Sequence, residues 1–335
     1  MKYKYHYVVF NYYDSGFLGT NKNGFYSICL EDLSFHDNIT VVNYPLDHCN
    51  FLLRFLYWGL IQIQRRFHVK YIGSMRSLFY PYFFKKKGGD SLEYCFVFMS
   101  YEQDRQYLNY LKKKYPHSPH VKVLRDLASL KKNFIEQREE QLFDYWMSYD
   151  QGDCERYNMI HFNQFESKVD LSKLKDIVPT SDIFFIGRAK NRLGKIYKAY
   201  NHLTALGYNC LFLLLGVEPQ DKIIKPGIKY IDRAISYRDV LSYIINTKCI
   251  LDINQENAQG VTARYVESIL YNKFLLSDNP HIAKEPLFNK DYMQVFSSIE
   301  TITLESLSRM QEVTYDYRGE FSPLQFIKTL NDNIQ

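Results

Sequence analysis

The sequence predicts an α/β fold built from two doubly wound domains in series, and three observations carry that expectation. At 335 residues the chain exceeds the roughly 100–200 residues of one typical domain. Its second half alternates short apolar runs with amphipathic stretches of helical period, the pattern of a parallel sheet covered on both faces. Near the middle, the polar run Glu166-Ser-Lys-Val-Asp170 and then Pro179 interrupt the pattern as a linker does.

Taken in order, the first half is expected to hold strands at 7–11, 39–43, 93–99 and 121–124, with helices near 50–67, 103–115 and 129–141. In the second half the run 182–187 reads as a buried strand. Residues 192–206 follow with Leu193, Ile196, Tyr197, Tyr200, Leu203 and Leu206 on a helical period, ended by Gly207. Strands at 210–215, 228–231, 249–253 and 273–277 come next, with helices at 237–245 and 261–271 between them. Ser322 as N-cap and Pro323 at the first helical position open a helix over 322–330. These readings set a first domain at 1–165, a second at 166–320 and a C-terminal helix at 321–335 able to return to the first domain. Two such domains create a cleft, and ligands of open parallel sheets sit beyond the carboxyl ends of the strands.

Composition narrows the class. Aromatic residues make up 17% of the chain, with 30 Tyr and 24 Phe, ring surface that suits sugars and membrane interfaces alike. Cys29, Cys49, Cys95, Cys154, Cys210 and Cys249 stand apart with no C-x-x-C, so neither a zinc site nor a disulfide framework is signalled. The amino terminus lacks the apolar run of a secretory signal, and no stretch approaches the about 18 apolar residues of a membrane span. A cytoplasmic location is therefore expected. The net charge of +5 is too small to argue for nucleic acid, but its distribution is uneven. Arg54, Arg65, Arg66, Lys70, Arg76, Lys85, Lys86 and Lys87 fall within 51–87 without one acid, interleaved with Phe, Tyr and Trp. Such a stretch suits an anionic membrane leaflet, on which the protein would sit peripherally, and also single-stranded nucleic acid. A core helix with solvated cations is the plainer account.

Two segments combine the residue types of a phosphate site. Gly187-Arg-Ala-Lys-Asn-Arg-Leu-Gly-Lys195 directly follows the first strand of the second domain. It places a glycine at the strand exit, the cations Arg188, Lys190 and Arg192, and a helix start whose N–H groups favour an anion. It is no P-loop: six residues separate Gly187 from Gly194 where four are needed, and Ile196 stands in place of the metal-holding Ser or Thr. The second segment runs from Asp252 to Glu267, again strand, polar loop and helix start. Here Gly260 permits close backbone approach, Thr262 and Arg264 offer donors in the first turn, and Glu267 lies one turn on. The competing accounts are a basic surface turn for the first and an Arg264–Glu267 pair on a solvated helix face for the second.

The runs SDIFFIGRAKNRLGKIYKAYNHL, ISYRDVLSYIINTKCILDINQ and QGVTARYVESILYNKFLLSDNP, with YDYRGEFSPLQFI further on, resemble bacterial glycosyltransferases of capsule, exopolysaccharide and lipopolysaccharide O-antigen gene clusters. FDYWMSYDQGDCERYNMIHF is similar to the segment these proteins carry before the donor domain. The likeness covers half the chain. It implies the GT-B fold, two Rossmann-like domains facing a cleft, and a nucleotide-sugar donor held by the second domain through Gly187, Arg188, Lys190, Arg192, Gln259, Gly260, Val261, Thr262, Arg264 and Glu267. In related retaining enzymes a Gly-Arg touches the diphosphate, matching Gly187 and Arg188, and a later glutamate holds the ribose, matching Glu267. Two positions depart from that pattern: Leu193 replaces a lysine, which shifts its role to Lys190, Arg192 or Lys195, and Gln259 replaces the first glutamate of a pair.

No D-x-D occurs in the chain, so a divalent cation has no evident seat and no cofactor is expected. The first domain would take the saccharide or lipid-linked acceptor and, for an inverting reaction, supply a base, for which Asp14 and then Asp126 are the candidates. A nucleotide-sugar epimerase of the same fold is the alternative enzyme. A non-catalytic basic module that binds nucleic acid or membrane is the alternative outside enzymes. The absence of G-x-G-x-x-G disfavours NAD chemistry.

Overall fold

Both halves of the chain lay their apolar runs side by side in six-stranded, wholly parallel sheets. The computed structural model describes residues 2–12, 15–16, 19–20, 22, 24–67, 75–85, 92–99, 104–128, 138, 141–174, 178–255 and 259–334. One unit comprises residues 1–149, 153–163 and 323–335, and the other 150–152 and 164–322.

The first sheet holds β1 (His6–Phe10), β2 (Ile39–Val42), β3 (Tyr94–Phe98), β4 (His120–Leu124), β5 (Tyr145–Ser148) and β6 (Ile160–His161) in the order β2-β1-β3-β4-β5-β6. Helix α1 (Phe25–Cys29), α2 (Phe51–Phe67), α3 (Arg105–Lys114) and α4 (Gln151–Tyr157) connect them. Asp104 caps α3 by accepting from the Gln106 and Tyr107 N–H groups. Helix α4, β5 and β6 were not among the expected elements, and the expected helix at 129–141 lies almost wholly outside the described residues.

The aromatic excess has a structural use in this unit that the composition did not reveal. Phe10 stacks on Phe98 at 4.9 Å and meets Tyr107 edge-on at 5.7 Å, and Phe83 lies 4.6 Å from Tyr107. Tyr80, Phe84, Phe96 and Phe143 belong to the same buried cluster. Much of the ring surface thus fills a core rather than facing a sugar or a membrane.

The second sheet holds β7 (Ser181–Arg188), β8 (Cys210–Leu215), β9 (Ile228–Ile231), β10 (Thr247–Asp252), β11 (Phe274–Ser277) and β12 (Met293–Val295), ordered β9-β8-β7-β10-β11-β12. In chain order this is 3-2-1-4-5-6, the Rossmann arrangement, whose switch point lies between the first and fourth strands. Helix α5 (Leu193–Ala205), α6 (Tyr237–Ile245) and α7 (Ala263–Leu270) alternate with the strands. Ile196, Ala199, Tyr200 and Leu203 form the buried stripe of α5 at the three- and four-residue spacing of a helix packed on a sheet. Gly207, at φ +91°, ends that helix where the expectation placed the stop. Gly227 is forced by packing, because a Cβ there would lie 2.1 Å from the Cys210 carbonyl oxygen.

Helix α8 (Pro323–Asn333) groups with the first unit. Asn331 is its anchor: its Oδ1 accepts from the Tyr7 hydroxyl and from the Lys4 N–H, each at 2.9 Å, while Phe326 meets Phe162 edge-on at 5.3 Å. All six cysteines are free thiols, and all but Cys49 are buried. No described helix is long and apolar enough to cross a membrane. Asn331→Ala strands the buried Tyr7 hydroxyl, so we expect a loss of about 1–3 kcal/mol, read as a lower urea midpoint at unchanged slope.

Candidate functional site

Parallel pairing of β7 with β10, in the register Thr247↔Ser181, Cys249↔Ile183 and Ile250↔Phe184, sets their carboxyl ends next to each other at the switch point. The Gly187–Arg192 turn and the loop after Asp252 therefore emerge at one sheet edge. Two side chains join them. Lys190 Nζ donates to Gln255 Oε1 at 2.9 Å, and the Arg192 guanidinium donates both to the Ile253 carbonyl and back to the Arg188 carbonyl at 3.2 Å.

The predicted cations take different roles. Arg188 and Lys190 are exposed, and Lys190 stands at φ +43°, a left-handed conformation that costs a non-glycine residue about 1–3 kcal/mol. Arg192 is largely engaged with backbone and lies 5.8 Å over the Phe185 ring, so it acts as a clasp between the two loops. Gly187 serves that clasp: a Cβ at this position would stand 3.0 Å from Arg192 Nη2. Lys195 lies 3.5 Å from Asp278. No side chain caps the start of α5, and the 3-10 turn Lys190–Arg192 leads directly into it.

The Asp252–Glu267 segment is more enclosed than its sequence suggested. Asp150 Oδ2 accepts from the Gln259 and Gly260 N–H groups at 2.9 and 2.8 Å. Asn279 Nδ2 donates to the Gly260 carbonyl at 3.1 Å, Val261 is buried, and Thr262 caps α7 by accepting from the Arg264 N–H. Arg264 and Glu267 form an ion pair, but not on the solvated face of the competing account, for Glu267 is 0% exposed. Burial raises the Glu267 pKa, and Arg264 opposes the rise. The Tyr237 hydroxyl reaches Glu267 Oε1 at 2.8 Å and Glu166 Oε2 at 2.7 Å.

Asp252 and Asn254 complete the floor. Burial pushes the Asp252 pKa up to about 6, against hydrogen bonds from the Thr262 and Ser277 hydroxyls and the charge of Arg192. The Asn254 amide is 8% exposed, and neither its oxygen nor its nitrogen has a hydrogen-bond partner, a state that a bound ligand or water would relieve.

Asp150, Asp252, Asn254 and Tyr237 were not among the predicted site residues. For Asp252 a signal existed, a lone carboxylate ending an apolar strand, whereas Asp150 lies 109 residues from the loop it holds. In the first unit Asp126 is half-buried beyond β4, next to Arg125, whose guanidinium covers the Phe25 ring at 5.3 Å. Asp14 lies outside the described residues. A cavity of about 720 Å³ near Tyr3, Tyr5 and Asn331 belongs to the amino-terminal side of the first sheet, away from the strand exits.

No family model matches the chain, and no curated protein sequence matches it. Solved structures do. The N-terminal domain of Candida albicans trehalose-6-phosphate phosphatase matches with a TM-score of 0.50 and 11% identity over 99% of this chain and 100% of that one. The UDP-forming α,α-trehalose-phosphate synthase of Burkholderia vietnamiensis scores 0.49 at 10% identity, covering 98% of this chain and 95% of its own. The lipopolysaccharide outer core galactosyltransferase WaaB in its apo form scores 0.43 at 12% identity, with coverages of 97% and 98%. With the two sheets described above, the first likeness establishes the fold class, α/β with Rossmann-like units of the GT-B kind.

The raised Asp252 pKa carries a sign. Its stabilising share is fully present below the ordinary value of 3.8 and is lost as pH rises through about 6. We expect Asp252→Asn to gain on the parent chain by up to roughly 3 kcal/mol between pH 4 and pH 7.5, measured by urea unfolding at both. A difference that stays flat with pH would contradict the assignment.

Proposed function

We propose that the protein is a metal-independent glycosyltransferase, hexosyltransferase-like, that moves a sugar from a nucleotide diphosphate-sugar to a saccharide acceptor, lipid-linked, in the synthesis of a cell-surface polysaccharide. The observation that carries this reading is the convergence of two strand-exit loops at the switch point of a 3-2-1-4-5-6 sheet. Exposed Arg188 and Lys190 stand there beside the uncapped start of α5. The sequence resemblance to bacterial polysaccharide glycosyltransferases supports it.

The chemistry follows from charge. Cleaving the anomeric C–O bond leaves a nucleotide diphosphate, so negative charge grows on its outer phosphate in the transition state. Fixed donors aimed at that oxygen stabilise it by about 2.7–4 kcal/mol each when well placed. Arg188, Lys190 and the first N–H groups of α5 fill this role. Arg192, Asp150 and Asp252 hold the loops that carry them. Asn254 offers a buried amide to the donor, and the Glu267 carboxylate accepts from a ribose hydroxyl once Arg264 yields it. The first unit takes the acceptor, with Asp126 or Asp14 as base.

A thermal-shift screen against UDP-, GDP-, CMP- and dTDP-sugars tests the reading, since a ligand bound only to the native state raises Tm. At least one donor is expected to stabilise the protein. Arg188→Ala, at an exposed position, should weaken that donor by about ten- to a hundredfold while leaving the unliganded Tm in place. Silence across the whole panel would reject the proposal.

A further inference from the structure

We propose that the solvent side of α2, with the turn that packs against it, is a docking surface for an anionic lipid bilayer. The inference rests on the first unit alone and is independent of the donor site.

A surface helix ordinarily buries one apolar stripe and shows water a polar one. Helix α2 satisfies the first condition, since Tyr57 is buried and Leu53 and Ile61 pack on the same core cluster. Its opposite side breaks the second. Leu52, Leu56, Ile63 and Phe67 follow one another at helical spacing on that side and are 64, 51, 45 and 64% exposed, and Phe51 and Phe55 flank them at 63 and 45%. The two flanking rings stack on each other at 6.0 Å.

The 3-10 turn Ser77–Tyr82 extends this surface. Tyr57 meets Phe79 and Phe83 at 5.4 Å, which holds the turn beside the helix. Although Tyr80 within the turn is buried, Leu78 is 69% exposed, and Tyr82 and the preceding Met75 are each 50% exposed. Scattered apolar side chains on a surface are ordinary, but a continuous run of them marks an interaction site.

Charge selects the occupant. No acid occurs between Phe51 and Lys85, while Arg66 on α2 and Lys85 just beyond the turn are exposed cations. Arg76 is neutralised by Asp104 at 2.8 Å, and Asp47 is the acid at the edge near His48. A second copy of the chain docked through this face about a two-fold axis would set the same cations against each other. A single-stranded nucleic acid would use the rings but leave Leu52, Leu56, Ile63 and Leu78 in water. An anionic bilayer takes both sets: the rings and aliphatic chains enter the boundary between headgroups and acyl chains, and the cations meet lipid phosphates. The helix lies on the membrane without crossing it, in keeping with its length.

Flotation of the full-length protein with vesicles decides the matter. Binding is expected to phosphatidylcholine vesicles containing a third phosphatidylglycerol, to fall as salt is added, and to be slight on phosphatidylcholine alone. Phe55→Ser with Leu56→Ser should lower partitioning more than about tenfold. Arg66→Ser with Lys85→Ser should lower it by about fivefold per cation removed, on anionic vesicles only. All four positions are exposed, and far-UV circular dichroism with melting checks that the variants fold. Equal affinity for neutral and anionic vesicles, or no binding to either, overturns the proposal. So does a dimer in sedimentation equilibrium that Leu56→Ser dissociates, or oligonucleotide binding in place of vesicle binding.

Discussion

The pairing of β7 with β10 is the constraint on which the candidate site of the second unit depends. Parallel strands point their exits the same way, so adjacency of these two alone brings a basic turn and a glycine-containing loop to one edge. Ile183, Phe184 and Phe185 lie beside Cys249, Ile250 and Leu251, all buried with both faces of the sheet covered, so a slip of register would have to repack both faces. Arg192 then fixes what the register establishes, because a guanidinium that donates to carbonyls of both loops resists their separation.

Around that clasp the acids are consumed inwardly. Asp150 holds two backbone N–H groups, Asp278 accepts from the Asn254 N–H, Asp252 lies under hydroxyls, and Glu267 is matched by Arg264. With these four carboxylates turned to structural work, Arg188 and Lys190 are exposed cations at this edge among the described residues. Positive charge left exposed at a sheet edge raises the local potential for anions. The raised pKa values of Asp252 and Glu267 are the cost of packing acids so deeply.

Legibility followed the range of the interactions. Elements of the second half were readable because each is local: the apolar run at 210–215 and the Ser236-capped helix at 237–245 declare themselves within a few residues. Strands β5 and β6 were missed because Tyr145–Ser148 and Ile160–His161 are short and become strands only beside a neighbour. The cations at 188–192 were legible as a group, yet their division of labour was not, since Arg192 differs from Arg188 only through where its guanidinium reaches. Asp150 and Gly260 are far apart in the chain, and no spacing rule links them. Likewise the sequence shows a ring-rich first half but not which rings are core, as with Phe98 and Tyr107, and which face solvent, as with Phe51 and Phe55.

Helix α8 has a bearing on how the protein is made. The buried hydroxyl of Tyr7 finds its acceptor on Asn331, and the stretch between them includes the whole of the second unit. A ribosome therefore delivers α8 only after 164–322 has emerged, so the first unit, whose strands all precede residue 162, receives its last helix late. The second unit, nearly continuous in the chain, has no such wait and can close while translation proceeds. Until the helix arrives, the nascent amino-terminal half keeps apolar and polar surface uncovered, and that interval is when a chaperone would find it.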